Sequence, residues 1–242
     1  MKLLGLADRN LKEISRDPIS MILGLLMPLV FLFLFSSINK RMPLEQFAPQ
    51  TLTPGIIIFG YGFFIMFAAT LLAKDKQSAF LVRLYTTPLR PTDFILAYIL
   101  PFYPLLLVQT LICLIVGTLL GATFLNLGAA MVIFLLLGTT CISLGVMLGS
   151  LFTVGQVSAA GSLLITVISL MSGAWMDLKM VGGVFEQVGY AMPFAHAVDA
   201  ARTVLAGGSL GSASSSLLVL GVYALASTAL AVVSFRWTMR KQ

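Results

Sequence analysis

The chain has 242 residues, of which 59% are hydrophobic and only 10% charged, and its mean hydropathy is +1.01. A soluble domain carries about 25% charged residues, so the composition excludes one and points to an integral membrane protein. The net charge of +6 needs no nucleic acid, because topology and lipid headgroups account for it once the basic residues are placed.

Residues 1–18 form an amphipathic segment. Leu3, Ala7, Leu11 and Ile14 fall at helical spacing, while Lys2, Arg9, Lys12, Glu13 and Arg16 cover the other faces. An apolar stripe with basic flanks just before a span fits a helix lying in the inner interface, with Arg9 and Glu13 spaced to pair at i,i+4. Such a helix serves either as a plain anchor or as a lever to cytoplasmic machinery. Asp17-Pro18 then restarts the chain, with Asp as cap and Pro at the first helical position. The segment is acidic as well as basic, and no A-x-A-like site follows the first apolar run, so cleavage as a signal peptide is not expected.

Six runs free of Asp, Glu, Lys, Arg and His follow, at about 19–38, 54–73, 94–121, 127–152, 157–176 and 217–235. Each approaches the about 20 apolar residues of a helical span, and none alternates in polarity as a barrel strand would. The expected fold is therefore all-α, with six transmembrane helices in a single domain over 1–242. With the N-terminus in the cytoplasm, Lys2, Arg9, Lys12, Arg16, Lys74, Lys76, Arg83, Arg90, Arg236, Arg240 and Lys241 lie inside, eleven of the fifteen basic residues. The positive-inside rule therefore places both termini in the cytoplasm.

Between the second and third runs, the 74–93 stretch reads as a cytoplasmic loop containing a short helix. Phe80, Leu81, Leu84 and Tyr85 give an apolar stripe, with Arg83 and Lys76 away from it. That pattern suits a helix-in-groove contact, with a helix merely resting on lipid as the alternative. Pro88 and Pro91 stiffen its exit. In the third run Pro101 and Pro104 should kink or break the helix. Gly117/Gly121 and Gly145/Gly149 are small-xxx-small pairs that suit close helix approach, within one subunit or at a dimer seam. Cys113 and Cys141 lie inside spans and read as packing residues.

The outer segment 177–214 is apolar but interrupted at Gly182-Gly183 and Met192-Pro193. Two short helices folded back in the outer leaflet would suit it, followed by GGSLGSASSS as a flexible polar link. The lone His196 reads as a packed or interfacial residue. No glycine is followed by lysine, so the chain lacks the phosphate-binding G-x-x-x-x-G-K-[ST] loop. The six runs also lack the ionisable groups of ion-coupled carriers, so energy for any uphill transport should arrive from outside the chain.

KDKQSAFLVRLYTTPLRPTDFILAY resembles the segment after the second span of ABC-2-type permeases, the membrane subunits of bacterial ABC exporters. Arg83, Leu84, Thr87, Pro88 and Leu89 match its R-L-x-x-T-P-L-like ending. MPFAHAVDAARTVLAGG resembles the family's segment before the last span, with Pro193, Asp199 and Arg202 matching. The chain departs from the family at Ala79, Val82 and Ala97-Tyr98, where Gly, Glu and Gly-Lys are often found. The resemblance implies a pair of permeases, homo- or heterodimeric, each docking an ATP-binding subunit that holds ATP and Mg. No catalytic, cofactor or metal residue is expected in this chain. It further implies a coupling helix over 78–88 that contacts the ATPase through Ser78, Phe80, Leu81, Arg83, Leu84, Tyr85 and Pro88. The pathway would run between the permeases along the second and fifth spans, with Phe63, Phe64, Phe67, Ser169 and Ser172 as lining candidates. Pro193, Asp199 and Arg202 would mark an outer re-entrant hairpin. Residence in the bacterial plasma membrane and export of an amphiphilic or lipophilic compound (a drug, antibiotic or lipid) are the expectations. Export of polysaccharide or lipid-linked glycan, and a sensory or immunity role without transport, remain alternatives.

Overall fold

The computed structural model describes residues 2–78 and 91–239. Within them lie α1 (Lys2–Ser15), α2 (Pro18–Arg41), α3 (Pro49–Gln77), α4 (Pro91–Ile99), α5 (Phe102–Leu119), α6 (Leu127–Leu151) and α7 (Val154–Met171). Three short helices follow, α8 (Leu178–Val181), α9 (Gly183–Tyr190) and α10 (Pro193–Leu205), and then α11 (Ser214–Met239). Among the described residues six stretches are long and apolar enough to cross a bilayer, and each overlaps one of the six apolar runs of the sequence. The protein is thus a multi-pass membrane protein. "Inner" and "outer" below follow the orientation expected from the basic residues.

α3 is the axis of the bundle, packed on α6, α7, α2 and α5, while α6 packs on its other side against α11. The α3–α6 seam is close because glycine permits it. A Cβ built on Gly145 would lie 2.4 Å from the Ile65 carbonyl oxygen, and one on Gly149 would lie 2.5 Å from that of Ala69. The Gly145/Gly149 pair therefore serves packing inside one subunit. Gly117 faces Thr53 at similarly short range, whereas Gly121 has φ +105° and belongs to the turn after α5. These two glycines do not form a helix seam.

The third span is in two pieces. Pro101 has no backbone N–H to donate, and the helix breaks at Leu100 and Pro101, between α4 and α5. α4 packs chiefly on α1, and α5 on α3. The α1 helix differs from the sequence expectation. Leu6, Ala7 and Asn10 are its buried residues, and Leu11 is 38% exposed, because its inward face is set by α4 rather than by lipid alone. Its i,i+4 ion pair is Lys12 with Asp8, at 2.6 Å, and Arg9, on which the charge of Glu13 also acts, makes its short ion pair with Asp75.

The 207–216 link is also not the free tether that its composition suggests. Gly207 (φ +106°) and Gly208 end α10 in a Schellman motif, with Gly208 N–H donating to Thr203 O at 2.9 Å and Gly207 N–H to Val204 O at 3.0 Å. Asn126 Nδ2 donates to Gly208 O at 2.8 Å. Leu210–Ala213 form a 3-10 turn, Ala213 is buried, and α11 begins at Ser214.

Candidate functional site

The inner end of α3 collects the buried ionic chemistry. The apolar run stops at Ala73, but the helix continues to Gln77 through Lys74, Asp75 and Lys76. Asp75 stands i+3 from Leu72 and i+7 from Ala68, so helical periodicity carries it onto the buried face, where it is 5% exposed. A buried carboxylate needs paired charge and hydrogen bonds. Arg9 Nη1 and Nη2 supply both, donating to Oδ2 and Oδ1 at 2.5 and 2.8 Å. The Tyr98 hydroxyl donates to Oδ2 at 2.5 Å. Hydrogen bonding to Asp75 raises the Arg9 pKa above its ordinary value.

Asn10, fully buried, accepts from Arg9 Nη1 at 2.9 Å and donates to Ala97 O at 3.0 Å. α1, α3 and α4 are thereby tied into one cluster. Both departures at Ala97-Tyr98 fall in it, Ala97 through its carbonyl and Tyr98 through its hydroxyl. The next residue of α3 grips a fourth element. Lys76 Nζ donates to Ser150 O and Phe152 O, each at 2.8 Å, which satisfies orphan carbonyls at the C-terminus of α6 with a cation. Thr238 of α11 donates to the same Ser150 O at 3.1 Å.

Ser78, exposed, closes α3. Its N–H donates to Lys74 O at 3.1 Å and its hydroxyl to Asp75 O at 2.9 Å. The other expected ATPase contacts, Phe80, Leu81, Arg83, Leu84, Tyr85 and Pro88, lie outside the described residues. Sequence reasoning named Arg9 as a partner for Glu13 and Tyr98 only as a departure from the family, and it did not single out Asn10 or Asp75. The available signal was Asp75 itself, on the buried register of a helix read as ending two residues earlier.

The pathway candidates fall in different environments. Phe64 is core, edge-on to Tyr61 and Phe102. Phe63 and Phe67 are half-buried on α3, 6.4 Å apart. Ser169 accepts from Trp175 Nε1 at 2.8 Å, and the buried Ser172 Oγ accepts from Ala174 N–H at 3.2 Å. Both serines thus hold the outer end of α7 and the loop after it. The hydroxyls exposed along α7 are Ser158, Ser162 and Thr166, at i, i+4 and i+8, which place one polar stripe on one helix face.

At the outer end, Pro193 is the buried first residue of α10. Asp199 accepts from the Tyr190 hydroxyl, and burial first, then Asp199, raises the Tyr190 pKa. His196 contacts Tyr190 O at 3.0 Å and stands edge-on to its ring. Arg202 goes to backbone. Its Nε donates to Thr51 O at 2.9 Å, and Nη2 to Gly173 O and Ala174 O at 3.1 and 3.4 Å. A Cβ on Gly55 would lie 2.7 Å from Ala174 Cα, so the loop after α7 sits directly on α3. Trp175 in that loop packs among Phe31, Phe35 and Phe59, at 5.2, 5.0 and 5.3 Å between centroids.

Residues 1–206 match the ABC-2 type transporter family. A search of curated proteins finds no match for the chain.

Proposed function

We propose, from the premise that this chain belongs to the ABC-2 type transporter family, that it is the membrane half of an exporter of amphiphilic or lipophilic compounds. Members of the family are permease components that act with ATP-binding subunits. In this reading two such subunits bind and hydrolyse ATP with Mg, and two permeases pair in the bacterial plasma membrane to form the path.

The observation that carries the reading is the clamp at the exit of α3. Asp75 and Lys76 bind α1, α4 and the end of α6 just before the 78–88 stretch to which the family resemblance assigns docking. A push on that stretch reaches four elements through short charged contacts, with little slack to absorb it. By sequence spacing Phe80, Leu81, Leu84 and Tyr85 give the docking stretch an apolar stripe, with Arg83 away from it, and Ser78 and Pro88 are the remaining contact candidates.

The path follows α3 and α7. Phe63 and Phe67 offer α3's half-buried aromatic surface, and the exposed stripe of Ser158, Ser162 and Thr166 offers α7's polar one. Ser169 and Ser172 act one step removed, by fixing the outer end of α7. The outer helices α8 to α10 cap the path as a hairpin seated in the outer leaflet, with Pro193, Asp199 and Arg202 fixing its fold.

Solubilised, tagged protein should bring down a stoichiometric P-loop ATPase. Phe80→Asp and Leu84→Asp should each remove it and abolish ATP-driven transport while membrane insertion stays intact. Transport unchanged in both variants would refute the docking assignment.

A further inference from the structure

A cavity of about 410 Å3 opens between the α1–α2 junction and the inner half of α3. Glu13, Arg16, Asp17 and Lys74 line it at the junction, two acids and two bases. Phe64 and Phe67 of α3, with Met21 of α2, line its apolar part. Phe64 stands ten residues before Lys74 on the same helix, so the chamber extends about 15 Å from its charged rim towards the bilayer centre. A Cβ on Gly24 would lie 2.7 Å from the Phe67 ring, so α2 is pressed against that ring and forms a wall.

The shape and the charges select a ligand. A polar rim at headgroup depth and an apolar chamber pointing inward match an amphiphile of the inner leaflet. The volume suits a drug-sized or single-chain molecule and is too small for a two-chain phospholipid. A headgroup of one sign would meet two like charges at the rim, whereas a zwitterion finds an opposite partner for each of its charges. Methionine in the wall adapts to chains of different shape. We propose that this cavity is a loading site, where a single-chain zwitterionic amphiphile binds from the inner leaflet before transport. The inference rests on the permease reading and names the ligand class it would carry.

The test uses the full chain with its ATPase subunit in lipid nanodiscs and dodecylphosphocholine bearing a photoreactive diazirine in its chain. Labelling should fall on the peptide holding Phe64 and Phe67. Thr70, which also lines the cavity, gives the blocking variant. Thr70→Trp should cut labelling about tenfold while Thr70→Ser, which keeps the hydroxyl and adds no bulk, preserves it. Dodecyl phosphate and dodecyltrimethylammonium should compete about tenfold more weakly than the zwitterion. Arg16 and Lys74 are exposed, so Arg16→Glu with Lys74→Glu leaves packing alone and decides the matter even if Thr70→Trp misfolds. It should shift preference to the cationic amphiphile. Labelling indifferent to headgroup charge, or confined to other helices, would overturn the loading site. ATP-driven clearance of the probe from vesicles separates the two readings. Clearance without labelling of the cavity removes the site and keeps the permease, whereas labelling without clearance removes the permease reading for amphiphiles, and the loading role with it.

Discussion

The two ends of α3 are held by different chemistry. At the outer end Arg202 grips three backbone carbonyls, Gly55 lies against the backbone of Ala174, and Trp175 sits among aromatic rings. There backbone lies directly on backbone and rings fill the space beside it, so a shift requires the core to repack. At the inner end Asp75 is held by Arg9 and Tyr98, side chains on two other helices, and Arg9 is one-third exposed. Side-chain contacts can open and re-form. One end of the axial helix is built as a mounting, and the other as a linkage.

Substitutions can break or sharpen this contrast. The largest effect should come from the seam that both ends share. Gly149→Leu drives a side chain into the Ala69 carbonyl and should cost more than about 3 kcal/mol, seen as loss of monodisperse protein after extraction. If it is tolerated, α3 and α6 are not the common spine. Next, Arg9→Ala strands a buried carboxylate and should cost about 3 kcal/mol. Asp75→Asn leaves Arg9 free to reach water and should cost nearer about 1 kcal/mol. Equal losses, measured by denaturant unfolding in detergent, would mean that the pair is not buried as described. At the mounting, Arg202→Ala removes three hydrogen bonds to backbone carbonyls and should cost about 2 kcal/mol. Arg202→Lys should fail to restore it, because an ammonium lacks the planar fork that spans separated acceptors. Smallest is Lys76→Met, at about 1 kcal/mol, with a larger proportional loss of ATP-driven transport than of stability. A transport loss that merely tracks stability in Arg9→Ala and Lys76→Met would dissolve the distinction between linkage and mounting.

The six spans were legible because their helices are apolar on every side, so that run length alone reports them. The inner extension of α3 was not, since its first lysine ends the run while the helix and its buried face continue to Asp75. On α1 the spacing of apolar residues pointed to Leu11, but a buried asparagine lies on the packed face, because Ala97 O on α4 offers it a partner. A local pattern contains no record of a distant carbonyl. The glycine pairs make the same point. Gly117/Gly121 and Gly145/Gly149 share one spacing, yet only the second pair falls inside a helix facing another backbone. Likewise Ser169 and Ser172 looked free to line a path, but tryptophan and backbone donors in the following loop engage them.

The break at Leu100 and Pro101 divides labour by depth. α4 is nine residues long, about 14 Å of helix, and is tied to α1 and Asp75, whereas α5 beyond the proline belongs to the α3 packing. The inner piece of this span is therefore packed chiefly with α1 and tied to the inner end of α3, and the outer piece packs chiefly on α3. The two leaflets consequently border different machinery. With the orientation expected from the basic residues, lipid of the inner leaflet borders α4 with its ties to α1 and Asp75, and lipid of the outer leaflet borders α5 and the α3 packing.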